Sequence, residues 1–383
     1  MLPMSQPAAP PSAEFRTQLL WDVFCRVIDN YGDVGVLWRL SAALAARGEQ
    51  VRLWIDDASA LAWMAPGATE GRWPGVQVRA WNDAGDSSVC AALDHADVWI
   101  EGFGCEIPAG FVAHFAGRVR AAPGGRPPVW INLEYLSAQA YVERNHGLPS
   151  PVLHGPAQGW TKVFYYPGFT PLSGGLLRNA FATIPVAPDD DHTHVPRQER
   201  RVSLFCYEPV ALAACIKGLG QEQGATRLLV THGRAAQAMR QLLAQAAFQR
   251  PANVAVEFLP PLSQHQFDAL LGACDLNLVR GEDSLVQALW AGKPFIWQAY
   301  PQSDAAHRDK LAAFLDWFQA DAAVRELHHA WNGFSQPPDA AVWAQTLADH
   351  GGRWTRQVQA ARQRLLALDD LPTQLRRLVA KSR

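Results

Sequence analysis

The sequence lacks a charge excess, a long apolar run and any pair of closely spaced cysteines. Lys plus Arg number 34 and Asp plus Glu number 36, so the formal net charge of the 383-residue chain is −2. This near-balance provides no broad basic field for a nucleic-acid backbone. The apolar stretches are short and are broken by Gly, Pro or charge, so we expect none to span a membrane. With 49% hydrophobic and 18% charged residues, the chain is still too apolar to be disordered.

The amino terminus and the cysteines both indicate a soluble cytoplasmic protein. Residues 1–18 (MLPMSQPAAPPSAEFRTQ) are rich in Pro, Ala and Ser and lack the basic start and apolar stretch of a secretion signal. We interpret them as a disordered tail. The six cysteines form no CxxC pair, and without an export signal we expect buried thiols rather than disulfides.

Short apolar runs that alternate with helical patterns predict doubly wound α/β sheets. Several runs, such as VSLFCY, are apolar almost without alternation, which is typical of parallel strands covered on both faces. The predicted strands are Leu20–Ile28, Val51–Asp56, Val76–Trp81, Val98–Phe103, Val129–Leu133, Lys162–Tyr166, Val202–Tyr207, Arg227–Thr231, Val254–Leu259, Leu276–Val279 and Pro294–Gln298. The clearest predicted helices are Val36–Ala46, Gln264–Ala273, Ser284–Ala291 and Ala305–Trp317.

The segment Pro171–Arg201, rich in Pro and Gly and without sustained periodicity, divides the strands into two sets. We predict two Rossmann-like domains that face a central cleft, one over residues 19–185 and one over 186–361. The amphipathic carboxyl terminus, from about residue 362 to 383, is expected to complete the first domain. Ligands in such folds bind at the carboxyl ends of strands, so residues that follow strands are the candidates for chemistry.

The first candidate is the turn after the first strand, in CRVIDNYGDVGVLWRL. It has two glycines but not the GxGxxG spacing of a dinucleotide site, and it carries Asp29 and Asp33. Because carboxylates would repel a phosphate, we exclude NAD or FAD binding there. They suit holding a cation or removing a proton instead. Asp33 could alternatively serve only to stabilise the start of the helix, but this would leave Asp29 unexplained.

The second candidate is RGEDSLVQALWAGKPF, where a strand runs directly into a helix. Arg280 and Ser284 stand beside the free N–H groups of a helix start, which together favour an anion. Two-domain nucleotide-sugar glycosyltransferases of the GT-B type hold the donor diphosphate in this way. Capping of the helix by Asp283 or Ser284 is the structural alternative, and it is compatible with anion binding.

A third group could bind a nucleobase on flat apolar faces. Phe205 and Tyr207 end one strand, and Phe258, Gln264 and Phe267 follow in FLPPLSQHQFD. Core packing is the alternative for any single Phe. Further polar residues beyond a strand of the first domain, which the sequence does not rank, are Glu134, Tyr135, Ser137, Glu143 and His146.

The blocks IDNYGDVGV, NLEYLSAQAYVERNHGLPSP, YYPGF, VSLFCYE and RGEDSLVQALWAGKPFIWQAYPQ together resemble the EarP family, from about Trp21 to the carboxyl terminus. Members are protein-arginine rhamnosyltransferases that modify bacterial translation elongation factor P and so relieve ribosome stalling at polyproline. The resemblance implies a GT-B fold, a dTDP-β-L-rhamnose donor and inverting transfer to a guanidinium nitrogen. It implies no other cofactor.

The resemblance also implies roles for individual residues. Asp29, Asp33 and Glu282 correspond to the family's essential acids. Tyr207, Arg280, Asp283 and Ser284 correspond to its diphosphate contacts, the last two partly through backbone. Phe205, Phe258, Gln264 and Phe267 correspond to its thymine pocket.

The chemistry explains why acids are needed. Arginine is a poor nucleophile because its lone pairs are delocalised and its pKa exceeds ~12. Two carboxylates could orient one nitrogen and take its proton. A helix amino terminus with Arg280 could stabilise the leaving diphosphate, and no Asp-x-Asp motif stands at a strand end, so we expect no metal. Two alternatives stay open: a GT-B enzyme with another nucleotide sugar and a small-molecule or lipid acceptor, and a binding protein without catalysis.

Overall fold

The amino-terminal half of the chain folds around one sheet. The computed structural model describes residues 18–27, 31–179, 199–301, 306–348 and 352–382. The elements of this half are β1 (Leu20–Cys25), α1 (Gly32–Ala45), β2 (Gln50–Ile55), α2 (Leu61–Met64), β3 (Val76–Ala80), a 3-10 turn (Trp81–Gly85), α3 (Ser87–Ala91), β4 (Val98–Gly102), α4 (Ala109–Ala121), β5 (Val129–Leu133), α5 (Ala140–Asn145), β6 (Pro149–Pro151) and β7 (Thr161–Tyr165). The seven strands lie in the order β3-β2-β1-β4-β5-β7-β6, and only β6 pairs antiparallel.

The carboxyl-terminal half repeats the arrangement with a smaller sheet. Its elements are β8 (Glu199–Leu204), α6 (Leu212–Leu219), β9 (Ala225–Val230), α7 (Arg234–Leu243), β10 (Val254–Phe258), α8 (Gln264–Ala273), β11 (Leu276–Arg280), α9 (Gly281–Ala291), β12 (Phe295–Gln298), α10 (Ala306–Phe318), α11 (Ala322–Trp331), α12 (Ala340–Ala348), α13 (Arg353–Leu366) and α14 (Leu371–Ser382). The five parallel strands lie in the order β10-β9-β8-β11-β12.

The predicted doubly wound architecture is confirmed, and each predicted strand has a counterpart. The prediction missed β6, whose sequence Pro-Ser-Pro argues against a strand; prolines are tolerated there because β6 is at the edge of the sheet. The predicted starts of two helices, Val36 and Ser284, are each a few residues too late. α1 begins at Gly32 and α9 at Gly281, because these glycines belong to the first helical turn as well as to the preceding turn. Gly281 has a φ of +69°, which lets β11 turn straight into α9.

The two carboxyl-terminal helices pack against different sheets. Trp354 and Val358 of α13 belong to the core of the second half. Leu371, Leu375 and Val379 of α14 belong to a core of the first half, on one face of its sheet. A second cluster, rich in Trp and Phe, covers the other face of that sheet. The predicted boundary at 185/186 lies outside the described residues, as does all but the last residue of the tail predicted at 1–18.

The described helices include none that is both long and apolar enough to cross a lipid bilayer.

The buried side chain of His328, on α11, makes the stability of the fold depend on pH. Its side chain is fully buried, and its Nδ1 lies 2.9 Å from the Val324 carbonyl oxygen. Within the described residues its Nε2 has no hydrogen-bond partner. Burial therefore lowers the pKa of His328 to about 4. The folded chain keeps His328 neutral, whereas the unfolded chain binds a proton as the pH falls below about 6.5.

We expect the wild-type chain to lose stability as the pH falls from 7 to 4, because protonation of His328 favours the unfolded state. This residue should account for up to about 3 kcal/mol of that loss. His328→Phe keeps a flat ring but cannot titrate, so its free energy of unfolding should fall less over the same range. Urea titrations of both proteins at pH 7, 5.5 and 4 make the comparison. If the free energy of unfolding falls equally with pH in the wild type and in His328→Phe, His328 is not the source of the pH dependence.

Candidate active site

The candidate residues lie where the strand order of each sheet reverses. In the first sheet β1 and β4 are neighbours, and their connections leave to opposite sides. In the second sheet the same is true of β8 and β11. A crevice forms outside the carboxyl ends of such strand pairs, and ligands bind there in open α/β sheets. Asp33 follows β1, Phe205 follows β8, and Arg280 ends β11.

Asp33 is a buried carboxylate in the first turn of α1. Its side chain is 2% exposed, and the Tyr135 hydroxyl donates a hydrogen bond to its Oδ1 at 3.2 Å. Burial and the nearby charge of Asp33 raise the pKa of the Cys25 thiol at the end of β1. The carboxylate thus lies beside the first switch point, where the Tyr135 hydroxyl holds it. Asp29 lies outside the described residues.

An aromatic pair adjoins Asp33. Tyr135 is 37% exposed, and its ring stacks on Phe103 with centroids 4.4 Å apart. Phe103 directly follows β4 and has a φ of +56°, a strained value for a side chain of this size. Tyr135 was among the residues that the sequence could not rank. The fold brings it to Asp33 across 102 positions of sequence.

Arg280 forms the centre of a cationic cluster in the second half. Its guanidinium carbon lies 4.6 Å from the Phe205 ring centroid and 4.4 Å from that of Tyr207, and the residue is only 8% exposed. One guanidinium nitrogen donates to the Cys206 carbonyl at 3.4 Å. The rings and the carbonyl fix the orientation of the cation at the carboxyl end of β11.

Two residues near Arg280 were not predicted from the sequence. Arg234, at the start of α7, lies 4.6 Å from the centroid of the Tyr207 ring and pairs with Glu208. His232 follows β9, and burial together with the charge of Arg280 lowers its pKa. The available signal for both was a polar residue between the end of β9 and the first turn of the following helix. The cluster therefore places two guanidinium groups against the Tyr207 ring, one of which is paired with the Glu208 carboxylate.

The first turn of α9 is bonded back to Arg280, the residue before the helix. The backbone N–H of Arg280 donates to Ser284 Oγ at 3.2 Å, and the Ser284 hydroxyl donates to the Arg280 carbonyl. The first N–H groups of a helix have no partner within the helix, so they can meet an anion. The N-cap residue of α9 is Arg280, and it has no side-chain capping hydrogen bond, so the capping interpretation of Asp283 or Ser284 is wrong. Ser284 is the fourth residue of the helix, and its contact with a diphosphate stays a prediction.

Glu282 lies between the two halves of the molecule. Its Oε2 accepts a hydrogen bond from the Leu136 N–H at 2.8 Å, and its Oε1 pairs with Lys310 of α10. Leu136 belongs to the segment after β5, so the contact joins the first half to the second. The carboxylate is 21% exposed and is held in one orientation by a backbone donor and a cation.

Asp283 and Gln264, both predicted donor contacts, face the first half here. The Asp283 carboxylate accepts from Arg39 Nε and from Gln287 Nε2, each at 3.0 Å. Gln264 Nε2 donates to the Gly35 carbonyl at 2.8 Å. These two side chains therefore join the two halves of the molecule. Because the Asp283 carboxylate is engaged in this way, any contact of Asp283 with a diphosphate would be made by its backbone N–H.

The predicted thymine pocket is brought together in part. Phe205 and Phe267 make an edge-to-face contact with centroids 5.2 Å apart. Phe258 is 37% exposed, and Arg240 lies 4.5 Å from its ring centroid. Among the described residues, no ring contact joins Phe258 to Phe205 or Phe267. The assignment of Phe258 and Gln264 to this pocket stays a prediction.

Glu134 and His146 lie near the site without joining the Asp33 contacts. Burial raises the pKa of Glu134, against a hydrogen bond that Asn132 donates to its Oε1 at 2.8 Å. Burial lowers the pKa of His146, whose Nδ1 accepts from the Tyr166 N–H at 3.2 Å. In the described parts of the chain, no three His, Cys, Asp or Glu side chains converge as a metal site would require.

Comparison with known proteins gives a family match and similar relatives. A family model for elongation factor P (EF-P) rhamnosyltransferase EarP matches residues 21–380. A protein-arginine rhamnosyltransferase of Pseudomonas putida is 40% identical over 343 residues, which cover 82% of this chain and 86% of the relative.

Two solved structures extend the comparison. One, described as the structural basis for EarP-mediated arginine glycosylation of translation elongation factor EF-P, is similar with a TM-score of 0.58 and 26% identity, over 96% of this chain and 100% of that one. MurG of Acinetobacter baumannii is similar with a TM-score of 0.52 and 13% identity, over 95% of this chain and 100% of that one. The second likeness concerns the fold alone, and both agree with the predicted GT-B architecture.

Arg280→Ala should weaken binding of dTDP about ten- to a hundredfold, because a charge-assisted contact to a diphosphate contributes ~1.5–3 kcal/mol. Arg227→Ala is the matched control. Arg227 lies in β9 of the same sheet and pairs with Glu199 and Glu257. Its loss should leave dTDP affinity unchanged. Calorimetric titration measures the dTDP affinity of both variants and of the wild type. If Arg280→Ala binds dTDP as tightly as the wild type, Arg280 is not part of the anion site.

Proposed function

The chain belongs to the EarP family of elongation factor P rhamnosyltransferases, and from this we propose its reaction. It transfers L-rhamnose from dTDP-β-L-rhamnose to a guanidinium nitrogen of one arginine of translation elongation factor P, with inversion at the sugar C1. The observation that carries the proposal is the pairing of two switch points, one with the Asp33 carboxylate and one with the Arg280 cluster. The family match favours a protein arginine over a small-molecule or lipid acceptor.

The acceptor guanidinium binds at Asp33. A buried carboxylate attracts the cation strongly because little water screens it. The exposed face of Tyr135 adds a flat π surface beside it, on which a planar guanidinium can stack. Asp29 acts as a second carboxylate that orients the arginine.

The donor binds in the second half. The diphosphate takes the guanidinium of Arg280, the backbone N–H groups at the start of α9, and the hydroxyl of Tyr207. The thymine base packs on Phe205 and Phe267, whose rings already contact each other. In support, Phe205 and Tyr207 follow β8 and Arg280 ends the neighbouring strand β11. Phe267 of α8 contacts Phe205.

The reaction then balances as a single displacement. One guanidinium nitrogen attacks C1 of rhamnose and gives up its proton to the Asp33 carboxylate. The bond from C1 to the diphosphate oxygen breaks with its electron pair, and dTDP leaves. Arg280 and the α9 amino terminus stabilise the charge that grows on the leaving oxygen. The product guanidinium keeps its positive charge, which Asp29 balances until the protonated Asp33 releases its proton to solvent.

Glu282 acts on the sugar. Its carboxylate is fixed by the Leu136 N–H and by Lys310, so it is preoriented rather than mobile. It hydrogen-bonds the rhamnose hydroxyls or balances the positive charge that develops on the ring in the transition state. This role explains an acid beside an anion site, where a carboxylate is otherwise unfavourable.

Asp33→Asn should abolish transfer and leave dTDP-rhamnose affinity within about twofold of wild type, because the donor binds in the other half and only the base is lost. Intact-mass analysis of elongation factor P after incubation with dTDP-rhamnose measures transfer, and calorimetry measures binding. The wild type should add the mass of one deoxyhexosyl group. No mass increase with the wild type would contradict the proposed function, and wild-type turnover by Asp33→Asn would contradict the role of Asp33.

Glu282→Gln should lower turnover at least about tenfold, while dTDP affinity changes by less than about threefold. The amide keeps the size of the side chain and removes its charge. Glu257→Gln is the control, since Glu257 is a Glu of β10 in the same sheet, and its carboxylate pairs with Arg227 of β9. It should match the wild type in both measurements. If Glu282→Gln instead lowers turnover and dTDP affinity by similar small factors, Glu282 has a structural role and does not act on the sugar.

A further inference from the structure

Two helices from opposite halves meet turn by turn beside the site. On α1, Gly35 and Arg39 are four residues apart and share one face. On α8, Gln264 and Asp268 have the same spacing. Gln264 contacts the Gly35 carbonyl, and Arg39 contacts the Asp268 carboxylate. A Cβ at position 35 would lie 3.3 Å from Gln264 Nε2, so glycine permits this close approach.

Arg39 uses its whole guanidinium in this interface. Two nitrogens donate to the Asp268 carboxylate at 2.7 and 2.8 Å, and Nε donates to Asp283 at 3.0 Å. The three side chains are 12%, 9% and 20% exposed. A bidentate contact plus a third bond fixes the guanidinium plane in a way that a lysine could not reproduce.

The charged forms of Arg39 and of the two carboxylates stabilise each other inside this interface. Burial raises the pKa of Asp268, and the guanidinium of Arg39 opposes this effect. Burial disfavours the charge of Arg39, but the two carboxylates outweigh it and raise its pKa. A buried ion pair contributes little net stability against an apolar replacement, whereas losing one partner is costly. What the three groups provide is a fixed geometry.

This geometry links the two catalytic helices. Arg39 lies six residues after Asp33 on α1, about 9 Å along the helix axis. Its partner Asp283 lies next to Glu282 in the first turn of α9. A shift of one half against the other would therefore move the base relative to the donor.

We propose that Arg39 is a positioning residue that holds the acceptor carboxylate Asp33 in register with the donor helix α9. The inference rests on the proposed function. Arg39 touches neither substrate, and it acts through Asp268 and Asp283.

The test keeps the net charge constant. Arg39, Asp268 and Asp283 carry one positive and two negative charges, hence −1. Arg39→Met combined with Asp268→Asn leaves Asp283 alone, again −1, so the field on the diphosphate is preserved while the contact is lost. We expect turnover at saturating substrates to fall about ten- to a hundredfold, and dTDP affinity to stay within about threefold. Small-angle X-ray scattering should give a larger radius of gyration.

Two further variants sharpen the comparison. Arg39→Lys keeps a cation that can reach one carboxylate, so its turnover should lie between those of the wild type and the double variant. Arg47→Ala removes an ion pair to Asp370 at the other end of α1. This control should keep both the turnover and the radius of gyration of the wild type.

The outcomes are distinguishable. Turnover of the double variant within about twofold of the wild type would overturn the proposal. If the double variant does not fold, wild-type turnover by Arg39→Lys would overturn it. An unchanged radius of gyration in a folded double variant would show that Arg39 does not hold the halves together. Absence of transfer by the wild type would overturn the proposed function alone, because the scattering comparison needs neither acceptor nor sugar.

Discussion

Parallel strands expose all their carboxyl ends at one edge of a sheet, and this constraint organises the site. In each sheet the strand order reverses once next to the first strand, at β1–β4 and at β8–β11. The connections part at that point and leave a crevice. Asp33, Phe103, Phe205 and Arg280 all lie at these edges. The groups proposed to bind acceptor and donor are thus separated into two halves.

The distribution of charge follows from this separation. The donor half offers guanidinium groups and a helix start, which suit a diphosphate. The acids beside that anion site each have a cation or a backbone donor. Asp283 contacts Arg39, and Glu282 contacts Lys310 and the Leu136 N–H. Two acids can therefore stand next to an anion site without repelling its ligand outright.

Local patterns were sufficient for most of the architecture. Unbroken apolar runs identified the buried parallel strands, because both faces of such strands are covered. The apolar pattern did not predict β6, because the edge position of this strand allows prolines. It also placed the starts of α1 and α9 too late, because each helix begins at a glycine that also belongs to the preceding turn. The order of the strands could be expected only by analogy, since pairing joins residues far apart in sequence.

The residue types beside the strand ends are evident from the amino-acid order: the carboxylate of Asp33, the guanidinium of Arg280 and the acid of Glu282. Their positions followed from the end of an apolar run, which is a local signal. The folded arrangement was needed to show that Tyr135 contacts Asp33 and that Arg234 joins the Arg280 cluster. It was also needed to show that Arg39 binds two acids more than 200 positions away. Such contacts depend on how two sheets face each other, and no periodicity in the chain encodes that geometry.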